Sequence, residues 1–184
     1  MRVFGVVGGC AAKAGLVRNL VAELTQRGLR VSTIKHVPDD VDLDRPGTGS
    51  WAHREAGAEE IMLASAARQI LMRERRAAVD EPEVDDLLIR LAPVDLVLLE
   101  GFRLSPYPKL EAVKRGQDRR LLALDDPSVC AVTGDAPVAA PVPFIPLSDV
   151  VALADLALLQ AAAAFMPAGR GEAGKLPGEC LSPA

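Results

Sequence analysis

The chain has 184 residues, 49% of them apolar and 25% charged, which suits one globular domain and is too apolar for a wholly disordered chain. A net charge of −4 argues against non-specific binding to nucleic acid or anionic membranes. Cys10, Cys130 and Cys180 show no metal-ligand spacing and suit a reducing cytoplasm, and no apolar run reaches the roughly 20 residues of a membrane span.

Aromatic residues make up only 3%, so the core must be built from Val, Leu, Ile and Ala. Residues 2–7 (RVFGVV) read as a buried strand. Over 13–26, Leu16, Val17, Leu20, Val21 and Leu24 recur at helical spacing, and 30–34 (RVSTI) reads as a second strand. Strand, loop, helix and strand in that order predict the βαβ unit of a parallel sheet. A long loop follows at 37–50, carrying four aspartates, two prolines and two glycines; loops of that length tend to be functional or disordered. Residues 51–58 predict a short helix, 60–64 and 69–73 a β-hairpin, and 83–91 another helix. The run 94–99 (VDLVLL) is the strongest buried-strand signal, followed by strands at 109–113 and 129–132. Ser148 is placed to cap a last helix running to about Phe165. Residues 1–165 are thus expected to form one domain, and 166–184, rich in Gly, Pro and charge, a disordered tail.

Three segments carry residues suited to chemistry. Gly8, Gly9, Cys10, Ala11, Ala12, Lys13, Ala14 and Gly15 lie between a strand and a helix, where backbone N–H groups and the helix dipole favour a phosphate. The usual pattern GxxxxGK[ST] is altered: Lys13 comes five rather than six positions after Gly8, Ala12 replaces the second glycine, and Ala14 replaces the Mg²⁺-binding hydroxyl. An ordinary βα turn with an exposed lysine is the alternative. Glu100 ends the 94–99 strand signal, the place of an acid that holds Mg²⁺ or its water, with Gly101 allowing close backbone approach; a solvated strand edge is the alternative. Lys35 and His36 leave a strand at its C-terminal end, where open α/β sheets bind ligands. Asp42 and Asp44 are candidate metal ligands, and Ser50 a candidate phosphate ligand or helix cap. His53 has no partner assignable by spacing, and Arg73, Arg75 and Arg76 form a short basic cluster, read first as a solvated face.

The order of several blocks is more telling than any one of them: TIKH at 33–36, the DxDxPGxxS-like segment at 42–50, HREAGA at 53–58, DLVLLEGF at 95–102 with PKLE at 108–111, and VCAVTGDAP at 129–137. Together they resemble the molybdopterin-guanine dinucleotide biosynthesis adapter (B protein) family over about residues 1–165. The resemblance implies an α/β fold, a three-layer P-loop NTPase-like architecture with a mostly parallel central sheet. It also implies GTP and Mg²⁺ binding with weak hydrolysis, homodimerisation, and a cytoplasmic role assisting the guanylyltransferase that joins GMP to molybdopterin. Lys13 matches the family's phosphate-loop lysine and Glu100 the acid of its EGF segment, while Lys35, His36, Asp42, Asp44, Pro46, Gly47 and Ser50 match its second block. The chain departs from the family where a GxSGSGKTT-like loop would stand, where Val37, Pro38 and Asp39 follow His36, and at Thr48 and Gly49. These changes predict weak or lost GTP turnover. Two other functions remain open: a structural partner protein that acts without nucleotide, and a small-molecule kinase using Glu100 or an aspartate of the 39–44 loop as base.

Overall fold

The computed structural model describes residues 1–37, 44–74, 81–114 and 120–165; Asp42, Arg75, Arg76 and the 166–184 segment lie outside them. In chain order the elements are β1 (Arg2–Gly8), α1 (Cys10–Gln26), β2 (Val31–Lys35), α2 (Gly49–Glu55), β3 (Glu60–Ala64), β4 (Gln69–Arg73), α3 (Val84–Leu88), β5 (Leu96–Glu100), β6 (Lys109–Val113), a 3-10 turn (Leu122–Leu124), β7 (Val129–Gly134), β8 (Phe144–Pro146), α4 (Val150–Gln160) and β9 (Ala162–Ala163).

The main sheet runs β2-β5-β1-β6-β7-β8, all parallel, with β9 antiparallel against the start of β1. Strands β3 and β4 pair only with each other, as the hairpin that the sequence predicts, in register from Glu60↔Arg73 to Ala64↔Gln69.

Strand alternation divides the apolar residues between two faces. On one face Phe4, Val6, Leu96, Leu98 and Leu110 pack under Leu16, Leu20 and Leu24 of α1 and Leu153 and Ala157 of α4. On the other, Val3, Val97 and Leu99 pack against Val84 and Leu88 of α3 and against Tyr107. Helices thus cover both faces, giving the three layers expected of an α/β chain with central strands buried on both sides. Burying each of these leucines contributes about 1.5–3 kcal/mol.

Several boundaries differ from the sequence expectation, each for a local reason. Helix α1 starts at Cys10 and not at 13, because the CAAKA run has strong helix formers and nothing to hold a loop open. Helix α3 is only five residues long: Arg90 and Leu91 donate to Leu87 and Leu88, tightening the last turn before Pro93. Asp149, not Ser148, caps α4, its Oδ1 accepting from the Ala152 N–H at 3.0 Å. That helix stops at Gln160 because the Arg2 guanidinium binds the Ala161 carbonyl (2.8 and 3.1 Å) and draws the chain into β9. Strand β8, which nothing in the sequence marks, is a three-residue edge strand bounded by prolines, where the lost N–H donors are tolerated.

Parallel pairing lines up the C-terminal ends of β1, β2 and β5, in register at Val6↔Glu100 and Lys35↔Glu100. That edge is where α/β sheets receive ligands.

Candidate phosphate-binding edge

The β1–α1 junction is short. Gly8 ends the strand, Gly9 is the extended N-cap, and Cys10 is already helical. Gly8 has φ +122°, and a Cβ on it would stand 2.0 Å from the Ala112 carbonyl oxygen, so β1 and β6 can meet here only without a side chain. The Gly9 N–H donates to that same carbonyl at 3.4 Å, and the Lys13 N–H closes the first turn on the Gly9 carbonyl at 3.2 Å. No side chain caps α1. The first N–H groups of a helix have no intrahelical acceptor, so this turn presents donors and a positive dipole end at the sheet edge.

Lys13 reaches from that turn across the end of β5. Its Nζ lies 3.2 Å from where a Cβ of Gly101 would be, and the His36 Cβ lies 3.3 Å from the same point. Gly101, at φ +97°, is the residue that lets both approach the backbone. Its N–H donates to the Val6 carbonyl, and the His36 N–H to that of Glu100, so β1, β5 and the exit of β2 are stitched together beneath Lys13.

Glu100 is only 7% exposed, and its Oε1 lies 3.5 Å from Lys35 Nζ on the neighbouring strand. The His36 Nε2 is 2.8 Å from Glu81 Oε2, and its ring meets Phe102 edge-on at 5.4 Å. Glu81 and Phe102 escape sequence reasoning: Glu81 lies 45 residues from His36 and only the fold brings it near, and Phe102 reads as an ordinary core aromatic.

Gly8, Gly9, Lys13, Lys35, His36 and Glu100 therefore converge on one edge. Cys10, Ala11 and Ala12 supply the backbone of the first helical turn; Ala14 is exposed, and a Cβ on Gly15 would meet nothing within 4 Å.

Asp44 and Ser50 instead build the start of α2. Asp44 Oδ1 accepts from Ser50 Oγ (2.9 Å), Thr48 Oγ1 (3.1 Å) and the Arg45 N–H (3.1 Å). Thr48, not Ser50, caps the helix, accepting from the Trp51 N–H. Arg73 of the basic cluster forms an ion pair with Glu60 across the hairpin. His53 lines an open pocket of about 450 Å³ between α2 and β3, with Ala56, Glu60 and Met62.

These residues suit the triphosphate end of a nucleotide: an uncapped helix N-terminus, a lysine over the strand ends and a buried acid beside it. Among the described residues no three His, Cys, Asp or Glu side chains form a metal cage. A Mg²⁺ ion takes one or two carboxylates plus phosphate oxygens and water. The hydroxyl that the helix would contribute is missing at Ala14.

The pattern of the family described as molybdopterin guanine dinucleotide synthesis protein B matches residues 3–135. The chain belongs to this family. The Escherichia coli K12 molybdopterin-guanine dinucleotide biosynthesis adapter protein is 36% identical over 148 residues, covering 78% of this chain and 83% of that protein. The Haemophilus influenzae protein of the same name is 33% identical over 128 residues, covering 70% and 71%. The crystal structure of Bacillus subtilis MobB superimposes with a TM-score of 0.69 at 23% identity, covering 88% of this chain and 99% of that one. The α/β fold of that structure, with its mostly parallel central sheet, is thus the fold of this chain.

Proposed function

We propose that the chain is a cytoplasmic adapter in molybdopterin-guanine dinucleotide formation that binds GTP by its phosphates and assists the guanylyltransferase attaching GMP to molybdopterin. The observation that carries the reading is the meeting of Lys13 Nζ with the Glu100–Gly101 strand end beside the uncapped N-terminus of α1. The helix N–H groups and Lys13 orient the terminal phosphates by charge and hydrogen bonding. Glu100, held by Lys35, is the carboxylate for a Mg²⁺ ion or its water. Bound Mg²⁺ would neutralise charge between the phosphates.

Turnover is slow in this reading for two reasons. Ala14 offers the metal no oxygen, and the His36 Nε2 already faces Glu81 and is not free to position a water. Homodimerisation is supported by the hairpin: Met62, Leu63, Ile70 and Leu71 are exposed on a two-stranded sheet whose strands are both edges.

Calorimetric titration of GTP with and without Mg²⁺, on the unaltered chain and on Lys13→Ala, tests the reading. Saturable binding that Lys13→Ala weakens at least about tenfold, with little phosphate release, is expected. Equal binding by both forms refutes it. The one-residue connection between β1 and α1 favours a second reading, a partner protein that works without nucleotide. Under that reading Lys13→Ala leaves both partner binding and cofactor yield unchanged.

A further inference from the structure

Glu100 and Lys35 project to the same side of the sheet. Strand alternation puts Glu100 with Leu96 and Leu98, and Lys35 with Val31, on the face that α1 covers, whereas Ile34 and Leu99 face α3. The two stand opposite one another in the β2–β5 register, and their ion pair at 3.5 Å closes on a carboxylate that is only 7% exposed. A buried carboxylate needs a positive partner, and in this chain an ammonium is that partner. Lys13 brings a second ammonium to the same strand ends from α1, beside Gly101, and among the described residues no carboxylate pairs with it. Two lysines against one acid leave a surplus of one positive charge, to which the α1 N-terminus adds about half a charge.

A divalent ion at a phosphate site binds protein and phosphate oxygens together. Two features of this chain work against it. The helix has Ala14 where the metal's hydroxyl would stand. A dication approaching Glu100 also meets the Lys35 ammonium already seated there, with Lys13 close by, and like charges repel. A Mg²⁺ ion therefore gains Glu100 only by displacing Lys35. An ammonium carries three donors, so Lys35 can keep Glu100 and still donate to a phosphate oxygen. Its side chain is 55% exposed on a flexible stem, which lets Nζ follow the ligand.

We infer that Lys35 is the built-in counter-cation of this edge: its ammonium bridges Glu100 to the terminal phosphates, so that the chain binds the metal-free triphosphate in preference to its magnesium complex. The proposal rests on the reading of this edge as a phosphate site and goes on to assign the charge state of its ligand. A free polyphosphate carries more negative charge than its Mg²⁺ complex, and so it answers the positive surplus at the strand ends better.

Calorimetric titration of GTP into the full chain, in EDTA and in excess Mg²⁺, tests this with Lys35→Met, Lys35→Arg and Lys13→Ala. Lys35 is a solvated side chain at a strand end, and circular dichroism checks that each variant folds. The unaltered chain should bind GTP at least about threefold more tightly in EDTA. Lys35→Met should lose at least about tenfold in EDTA and recover most of it in Mg²⁺, because Glu100 is then open to the metal and the preference reverses. Lys35→Arg keeps the charge and should still prefer EDTA. Lys13→Ala should weaken binding alike in both conditions. An unaltered chain that binds GTP at least about tenfold more tightly in Mg²⁺ overturns the counter-cation and leaves the phosphate-binding reading intact. So does a folded Lys35→Met chain that weakens equally in both conditions. GTP bound equally by Lys13→Ala and the unaltered chain in both conditions overturns the phosphate reading and the counter-cation together.

Discussion

Replacing Gly101 with alanine tests whether Lys13 is held where a phosphate needs it. The new Cβ would lie 3.2 Å from Lys13 Nζ, 3.3 Å from the His36 Cβ and 3.5 Å from the His36 carbonyl oxygen. The His36 atoms are pinned by the His36–Glu100 hydrogen bond, so the flexible lysine end yields and moves by about half an ångström to reach ordinary contact. At an effective dielectric constant near 20, moving a charge from about 3 to about 3.5 Å from a phosphate loses about 0.8 kcal/mol. A spoiled charge-assisted hydrogen bond adds about 1 kcal/mol, so GTP should bind about 10- to 30-fold more weakly. The φ of +97° adds about 1–3 kcal/mol of backbone strain, lowering Tm by about 2–4 °C per kcal/mol in a chain of this size. Calorimetry and thermal melts measure the two effects separately. Lys13→Ala and the Lys13→Ala/Gly101→Ala pair should bind equally weakly, since Gly101 acts on binding through Lys13. A folded Gly101→Ala chain that binds GTP as tightly as the unaltered chain refutes the reasoning, as does a double variant that loses both effects in full.

Three further predictions concern the frame. Leu20→Ala, at a fully buried position between α1 and the sheet, should cost about 2–5 kcal/mol in urea unfolding with the m-value unchanged. Glu111→Gln should cost about 1–3 kcal/mol, because the buried carboxylate accepts from the Leu122 and Ala123 N–H groups at 2.9 and 3.0 Å and an amide nitrogen cannot. Burial raises the Asp126 pKa, but hydrogen bonds from Ser128 and Lys109 outweigh it and leave the carboxyl below its ordinary value. The folded state therefore favours the ionised form; its contribution is present above the ordinary carboxylate pKa of about 4 and fades as the pH falls through the lower folded value. Asp126→Asn should flatten that acid limb of the stability profile, as read by denaturation at a series of pH values.

Strands β1 and β5 were legible because central parallel strands are apolar on both faces, and a run such as VDLVLL has few other uses. The hairpin is legible to the residue, since the small-residue turn at 65–68 between two β-rich runs marks its own ends. The start of α1 was not, because glycines in sequence suggest a loop while Gly8 is in fact needed for contact with Ala112, a partner more than a hundred residues away. Ser50 looked like a cap, yet Thr48 and Asp44 fix the helix start through side-chain bonds that sequence spacing does not rank. Lys35, His36, Glu100 and Lys13 stand out in the sequence by their places at strand ends and a helix start, and the structure puts them at one sheet edge. Glu81, Phe102 and the buried Lys109 were not, since each acts through residues brought near only by folding.

The position of β1 bears on how the molecule assembles. It precedes every other strand described, yet it lies inside the sheet, and its partners arrive late: Leu96 and its neighbours some ninety residues downstream, and Ala162 and Ala163 near the far end of the described chain. Arg2 waits for a carbonyl 159 residues away. A newly made β1–α1 unit on the ribosome therefore carries two open sheet edges and an uncovered apolar face until β5 emerges. Such long-range closure predicts slow folding and a period of exposure in which a chaperone would find its substrate.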